Sequence, residues 1–218
     1  MQRLSPQVSV WPRLYAIVDA AVAAQAGWTP SDLARAYLDG GARLLQLRAS
    51  GVDPATQLGW CQAIVRLVAP LGARVIVNDR CDLALMAGAA GVHLGQHDLP
   101  IAAARRLLGP TALIGLSTHD DLQVDAAVRQ PLSYLAIGPV YPTRTKDTGH
   151  AAVGLEAVRR ARGVAGDRPV VAIGGITLAT APDVIAAGAA SVAVIADLLV
   201  GGDPARRVRE YVDALGGA

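Results

Sequence analysis

The chain has 218 residues, 52% of them hydrophobic, 17% charged and 4% aromatic. That balance excludes a disordered protein, and at this length a core can form without a disulfide or metal staple. Twenty Lys and Arg against 18 Asp and Glu leave a net charge of +2, too even for a nucleic-acid-binding or membrane-surface protein.

Short apolar runs alternate with helical patterns along the whole chain, the signature of βα units on a parallel sheet. The predicted strands are Leu14–Val18, Leu44–Leu47, Val75–Val77, Val92–Leu94, Leu113–Leu116, Tyr134–Ile137, Val170–Ile173 and Val192–Ile195. Helix starts are marked by Thr29-Pro30, Asp53-Pro54 and Asp203-Pro204, each a capping side chain followed by Pro at the first helical position. Gly40, Gly72, Gly88 and Gly109 stand where helices should stop. Eight such units without a linker predict an α/β chain folded as a single (β/α)8 TIM barrel over 1–218, with 1–12 a short N-terminal extension. An open doubly wound sheet is the competitor, but the turn from Asp19 to Gln25 lacks the glycine-rich phosphate loop of that fold.

The N-terminus is too weakly apolar for a signal peptide. The most lipid-like run, Val184 to Ala196, is closed by Asp183 and Asp197 and is shorter than the ~20 residues of a membrane helix. A cytoplasmic location is expected. Cys61 and Cys81 form no CxxC pair and read as core thiols in helices.

In a βα barrel the reactive face is the C-terminal end of the strands. Here those ends are polar: Gln46 and Arg48 on the second strand, Asn78-Asp79 after the third, His93 and Gln96 to Asp98 on and after the fourth, and Ser117-Thr118-His119 on the fifth. Gln46 and Arg48 stand two apart and share a face of their strand. Asp79 and Asp98 follow consecutive strands and together suit a Mg2+ ion that leaves positions for water and phosphate oxygens; for Asp79 the competing reading is a helix cap. Gly174-Gly175-Ile176-Thr177 and the turn at Ile195-Ala196 fall where such barrels bind phosphate, with glycine opening the backbone to an anion. Lys146 is the one Lys among the 20 basic residues, beside Thr143 and Thr145 in the loop after the sixth strand; two hydroxyls and an ammonium suit a second phosphate. No nucleophile elbow, Ser-His-Asp order or His-His zinc spacing stands out, and the three Trp are too scattered to stack bases.

Four stretches resemble the thiamine phosphate synthase family. They are Val77-Asn78-Asp79-Arg80, Gly91-Val92-His93-Leu94-Gly95-Gln96-x-Asp98-Leu99-Pro100, Gly138-Pro139-Val140-Tyr141-Pro142-Thr143-x-Thr145-Lys146 and Ala172-Ile173-Gly174-Gly175-Ile176. The similarity runs from Leu14 to about Leu199. It implies a Mg2+-dependent transferase that joins hydroxymethylpyrimidine diphosphate to thiazole phosphate, releasing diphosphate. The resemblance assigns Gln46, Arg48, Asn78, Ser117 and Lys146 to the pyrimidine diphosphate, with Arg48, Ser117 and Lys146 as the candidates for catalysis. It assigns Asp79 and Asp98 to Mg2+, and Thr143, Arg144, Thr145, Gly175, Ile195 and Ala196 to the thiazole phosphate. The expected partners are these small molecules, with neither nucleic acid nor membrane; a homo-oligomer is compatible with the sequence but not derivable from it.

Two positions depart from the family pattern. Its second-strand motif Gln-x-Arg-x-Lys here reads Gln46-Leu47-Arg48-Ala49-Ser50, which removes a cation, with Arg80 or Arg144 as candidate compensation. Ala196 stands where the family usually has Ser, and the backbone N–H can still serve. Ser50 keeps two alternatives open: a thiazole tautomerase of the same barrel, with His93 or His119 as general base, and a non-catalytic thiazole phosphate-binding barrel.

Overall fold

Eight parallel strands close on themselves in chain order, each hydrogen-bonded to the next and the last to the first. The computed structural model describes residues 11–143, 145 and 149–216. The strands are β1 Leu14–Asp19, β2 Leu44–Arg48, β3 Arg74–Asn78, β4 Gly91–Leu94, β5 Leu113–Thr118, β6 Tyr134–Ile137, β7 Val170–Ile173 and β8 Ser191–Val194. Around them lie α1 Ala20–Gln25, α2 Pro30–Asp39, α3 Pro54–Val68, α4 Cys81–Ala87, α5 Ile101–Leu108, α6 Asp121–Ala127, α7 Gly154–Val164, α8 Ala181–Ala186 and α9 Pro204–Ala214. All eight expected strands form, with bounds shifted by at most two residues. No helix among the described residues is long and apolar enough to cross a membrane.

The capping signals act as the sequence implied. Thr29, Asp53 and Asp203 each accept a backbone N–H three residues on, at 3.1, 2.9 and 3.0 Å, ahead of Pro at the first helical position. Gly40, Gly88 and Gly109 close α2, α4 and α5, whereas Gly72 closes a 3-10 turn, Ala69–Leu71, that extends α3. Asp79 does not cap α4: that helix starts at Arg80 without a side-chain cap, and Asp79 holds a left-handed backbone, φ 62°.

Strand alternation divides the core in two. One set of strand residues, including Ala16, Leu45, Val77, Leu94, Leu116 and Ile137, packs outward against the helices. The other set, including Tyr15, Ile17, Leu44, Ile76, Leu113 and Tyr134, fills the barrel interior. The register keeps inward residues beside inward residues: Ile17 pairs with Gln46 and Gln46 with Ile76, while Asn78, His93, Gly115 and Tyr134 are successive partners across β3 to β6. Of the inward polar side chains, Gln46, Asn78, His93 and Ser117 lie toward the C-terminal ends of their strands.

Candidate active site

A cavity of about 410 Å³ opens at that end of the barrel. One arc of its wall comes from β2 to β5 and carries Gln46, Arg48, Asn78, His93, Ser117 and His119. The opposite arc comes from β6 to β8 and their loops, and carries Thr143, Thr145, Gly175, Ile195 and Ala196. Nine of the expected site residues thus meet in one chamber. Arg144 and Lys146 lie outside the described residues.

Arg48 is held by Asp19, its register partner on β1, in a close ion pair. The same carboxylate caps α1 through the N–H groups of Ala21 and Val22, at 3.1 and 3.0 Å. Asp19 is 3% exposed and Arg48 about one fifth, so the pair fixes the guanidinium at the cavity rim. The Arg48 charge is accordingly shared with Asp19, and less of it is open to an anion than the sequence alone suggests.

His93 is buried between two hydroxyls. Its Nδ1 lies 3.0 Å from Tyr134 Oη and its Nε2 lies 2.8 Å from Ser117 Oγ. Gln96 reaches over and donates to the Ser117 carbonyl at 2.6 Å. His119, at the polar end of β5, lines the cavity, meets the Gly138 carbonyl at 2.6 Å and stacks on His150 with centroids 4.0 Å apart.

Asp79 and Asp98 follow the adjacent strands β3 and β4, outside the cavity wall proper. The Asp79 N–H continues the ladder to the His93 carbonyl at 2.8 Å, and Asp98 Oδ2 accepts from the Gly95 N–H at 2.6 Å. No cluster of three or more His, Cys, Asp or Glu suited to a metal occurs among the described residues. The donor set is two carboxylates, which suits a hard divalent cation that completes its shell with water and phosphate oxygens. A left-handed backbone at a non-glycine residue is uncommon and costly, and here it falls at one of those carboxylates.

The Gly174-Gly175 pair has a second use beyond the expected one. Both have positive φ, 97° and 65°, and a Cβ would fall 2.5 Å from Pro139 Cα and 2.6 Å from the Pro142 carbonyl oxygen, respectively. The loop after β6 lies directly on this turn, with Val140 and Tyr141 donating to the Ile173 and Gly174 carbonyls at 2.9 and 3.0 Å. The glycines let that loop approach. They also leave the Gly175 and Ile176 N–H groups without an acceptor among the described residues.

Of the two compensations raised by Ser50, Arg144 lies outside the described residues and Arg80 can be placed. Arg80 is engaged by Asp82 through two hydrogen bonds, at 2.8 and 2.5 Å, and does not line the cavity, so it does not replace the missing cation. Neither cysteine is a nucleophile: burial pushes the Cys61 thiol up to about 11 and raises that of Cys81 as well.

Residues 14–198 match the family model described as thiamine monophosphate synthase. The chain belongs to this family. The thiamine-phosphate synthase of Koribacter versatilis (strain Ellin345) is 42% identical over 209 residues, covering 94% of this chain and 96% of that one. The thiamine biosynthesis bifunctional protein ThiM/ThiE of Symbiobacterium thermophilum is 42% identical over 97% of this chain, which spans 42% of that longer protein. A solved thiamine phosphate pyrophosphorylase from Pyrococcus furiosus superposes with a TM-score of 0.84 at 29% identity, over 94% of this chain and 95% of that one. Membership in the thiamine monophosphate synthase family makes this chain a transferase of thiamine biosynthesis.

Two further groups around the cavity are not singled out by the sequence. One is Asp197 in the loop after β8. Its Oδ2 accepts from Arg207 at 2.7 Å, from the Tyr211 hydroxyl at 2.6 Å and from the Leu178 N–H at 3.1 Å. It ties the loops after β7 and β8 to α9. The other is the pair of tyrosines: Tyr15, which lines the cavity, and Tyr134, buried behind it.

Proposed function

We propose that this chain, as one barrel-domain enzyme of the cytoplasm, joins 4-amino-2-methyl-5-hydroxymethylpyrimidine diphosphate to 4-methyl-5-hydroxyethylthiazole phosphate in the cavity at the C-terminal end of its barrel. The observation that carries this reading is the division of that cavity. One arc offers amide, guanidinium and hydroxyl groups, and the other offers two threonine hydroxyls and the backbone N–H groups of Gly175 and Ile176, which have no acceptor among the described residues.

Gln46, Asn78 and Ser117 suit the polar edge of a pyrimidine, and Arg48 stands where the diphosphate would extend. Thr143, Thr145, Gly175 and Ala196 suit the phosphate of the thiazole, with Arg144 as a further cation in the same loop. In the reaction the methylene–oxygen bond of the pyrimidine breaks and its electron pair leaves with diphosphate. The thiazole nitrogen donates its lone pair to that carbon. No enzyme nucleophile takes part, in keeping with two inert thiols. The work left to the chain is to align the two rings and to stabilise the charge that gathers on the leaving group.

Asp79 and Asp98 fit a divalent cation of the Mg2+ type. When bound, it would supply charge neutralisation to the departing diphosphate. The chain's own residues do the rest: Arg48, oriented by Asp19, meets the same charge, and Ser117 offers a hydroxyl near the ring; Lys146 is the further cation that the family resemblance assigns to the diphosphate.

The test is product formation by the purified protein with both substrates, with each omitted in turn, and with Mg2+ against chelator. Thiamine phosphate and diphosphate formed in equal amounts, only with both substrates and metal, is the expected result. Diphosphate release without thiazole phosphate, or conversion of the thiazole alone, would contradict the assignment.

A further inference from the structure

We propose that Gln46, Tyr15, Tyr134 and His93 form a directional hydrogen-bond relay through the barrel interior that holds the Ser117 hydroxyl as a donor to the substrate. The inference rests on the functional reading of the cavity and adds three positioning residues to it. The links are continuous. Gln46 Nε2 lies 2.9 Å from Tyr15 Oη, Tyr15 Oη lies 3.0 Å from Tyr134 Oη, Tyr134 Oη lies 3.0 Å from His93 Nδ1, and His93 Nε2 lies 2.8 Å from Ser117 Oγ. The relay thus connects two residues of the cavity wall, Gln46 on β2 and Ser117 on β5, through Tyr15 and His93 of the same wall and the buried Tyr134.

Counting protons gives its direction. An amide nitrogen only donates, so Tyr15 Oη accepts from Gln46. A phenol has one proton, and burial holds both phenols protonated by raising them well above their ordinary range. Tyr15 therefore spends its proton on Tyr134, and Tyr134 spends its own on His93 Nδ1. The ring proton then sits on Nε2 and is donated to Ser117 Oγ. The Ser117 proton is left for the cavity, with no other acceptor among the described residues. The opposite direction would strand the Tyr15 proton without an acceptor among the described residues, at a residue that is 1% exposed, which a buried polar group rarely tolerates.

The barrel is shaped around this relay. Tyr134 and His93 come from β6 and β4, with Gly115 of β5 between them in register. A Cβ on Gly115 would lie 2.1 Å from Tyr134 Cζ and 2.5 Å from its hydroxyl oxygen. Only an absent side chain lets the phenol lie across β5 to meet the imidazole. The two rings stack with centroids 5.6 Å apart, and Trp11 closes the other side of Tyr134 at 5.2 Å. Tyr15, Tyr134 and His93 are positioning residues: they act on the substrate through Ser117.

The orientation of one amide sets the whole relay, and this gives the test. Nitrogen-15 NMR of the labelled, substrate-free protein reports which ring nitrogen of His93 carries the proton. The expected form in the native chain is Nε2–H. In Gln46→Glu the carboxylate accepts from Tyr15, every link reverses, and His93 becomes Nδ1–H; adding Tyr134→Phe abolishes the response to Gln46→Glu. Tyr134→Phe alone keeps the ring volume and serves if Gln46→Glu does not fold: it leaves Nδ1 without its donor, and both tautomers appear. In turnover, Tyr134→Phe lowers kcat about tenfold with KM for thiazole phosphate unchanged, and has no further effect in a Ser117→Ala background. An Nδ1–H ring in the native chain, or a tautomer indifferent to both Gln46→Glu and Tyr134→Phe, overturns the relay. An Nε2–H ring that responds as described, in a protein that forms no thiamine phosphate, overturns the functional reading and leaves the relay standing.

Discussion

At the residue scale, charge at the cavity rim is the quantity to test. Ser50 is exposed just beyond Arg48, Arg80 is held by Asp82, and Arg48 shares its charge with Asp19. On the proposed reading, the diphosphate pole lacks the cation that the family pattern places at position 50. Ser50→Lys restores it at a solvent-facing position, where one added charge contributes up to about 1 kcal/mol. KM for the pyrimidine diphosphate should fall a few-fold at low salt, with the gain lost at high salt; a KM unmoved in steady-state assays would mean another group already supplies that charge. A second prediction concerns the carboxylates. Asp98→Asn keeps an acceptor for the Gly95 N–H but removes the negative charge a cation needs. Thermal stability should change by less than about 1 kcal/mol, while metal-stimulated turnover disappears. A variant whose metal titration matches the parent would remove Asp98 from the metal site.

At the scale of elements, two ties set the geometry of the cavity. The first joins β1 to β2 through Asp19 and Arg48. Asp19→Asn preserves the cap of α1, since Asn caps as well as Asp, and isolates the loss of the ion pair. With Arg48 partly exposed the cost should be about 2 kcal/mol, a fall in Tm of about 4–8 °C for a chain of this size. A Tm within 1 °C of the parent by calorimetry would mean the pair contributes little. The second tie is Asp197, which binds α9 to the loops after β7 and β8. Burial and the adjacent Asp197 carboxylate push the Tyr211 phenol up, so it stays a donor to that carboxylate. Tyr211→Phe removes this link alone. KM for thiazole phosphate should rise about three- to tenfold, as the loss of one hydrogen bond of about 1 kcal/mol implies, with KM for pyrimidine diphosphate unchanged. Equal changes in both constants would argue against a local role.

At the scale of the whole molecule, the barrel was legible because its signals are local. Apolar runs such as Val170–Ile173, caps such as Asp53-Pro54 and stops such as Gly88 depend on neighbours a few residues away. The site was legible where alternation alone aims a side chain inward, as for Gln46, Asn78 and Ser117. What could not be read depends on closure of the barrel. Tyr15 and Tyr134 sit in otherwise apolar strands and meet only because positions 119 apart are brought together in the interior. Asp19 reads as a strand end until β2 presents Arg48 beside it. The glycines after β7 read as an anion turn, and their contact with the loop after β6 emerges only in three dimensions.

The central claim is that one chamber holds both substrates with opposite poles. It is tested most directly by a crystal structure with thiamine phosphate, diphosphate and Mg2+ bound. The account predicts the pyrimidine ring beside Gln46 and Ser117, the product phosphate against Gly175 and Ala196, and the diphosphate between Arg48 and the carboxylates of Asp79 and Asp98. Product bound in the reverse direction, or metal and diphosphate away from that pair, would contradict it.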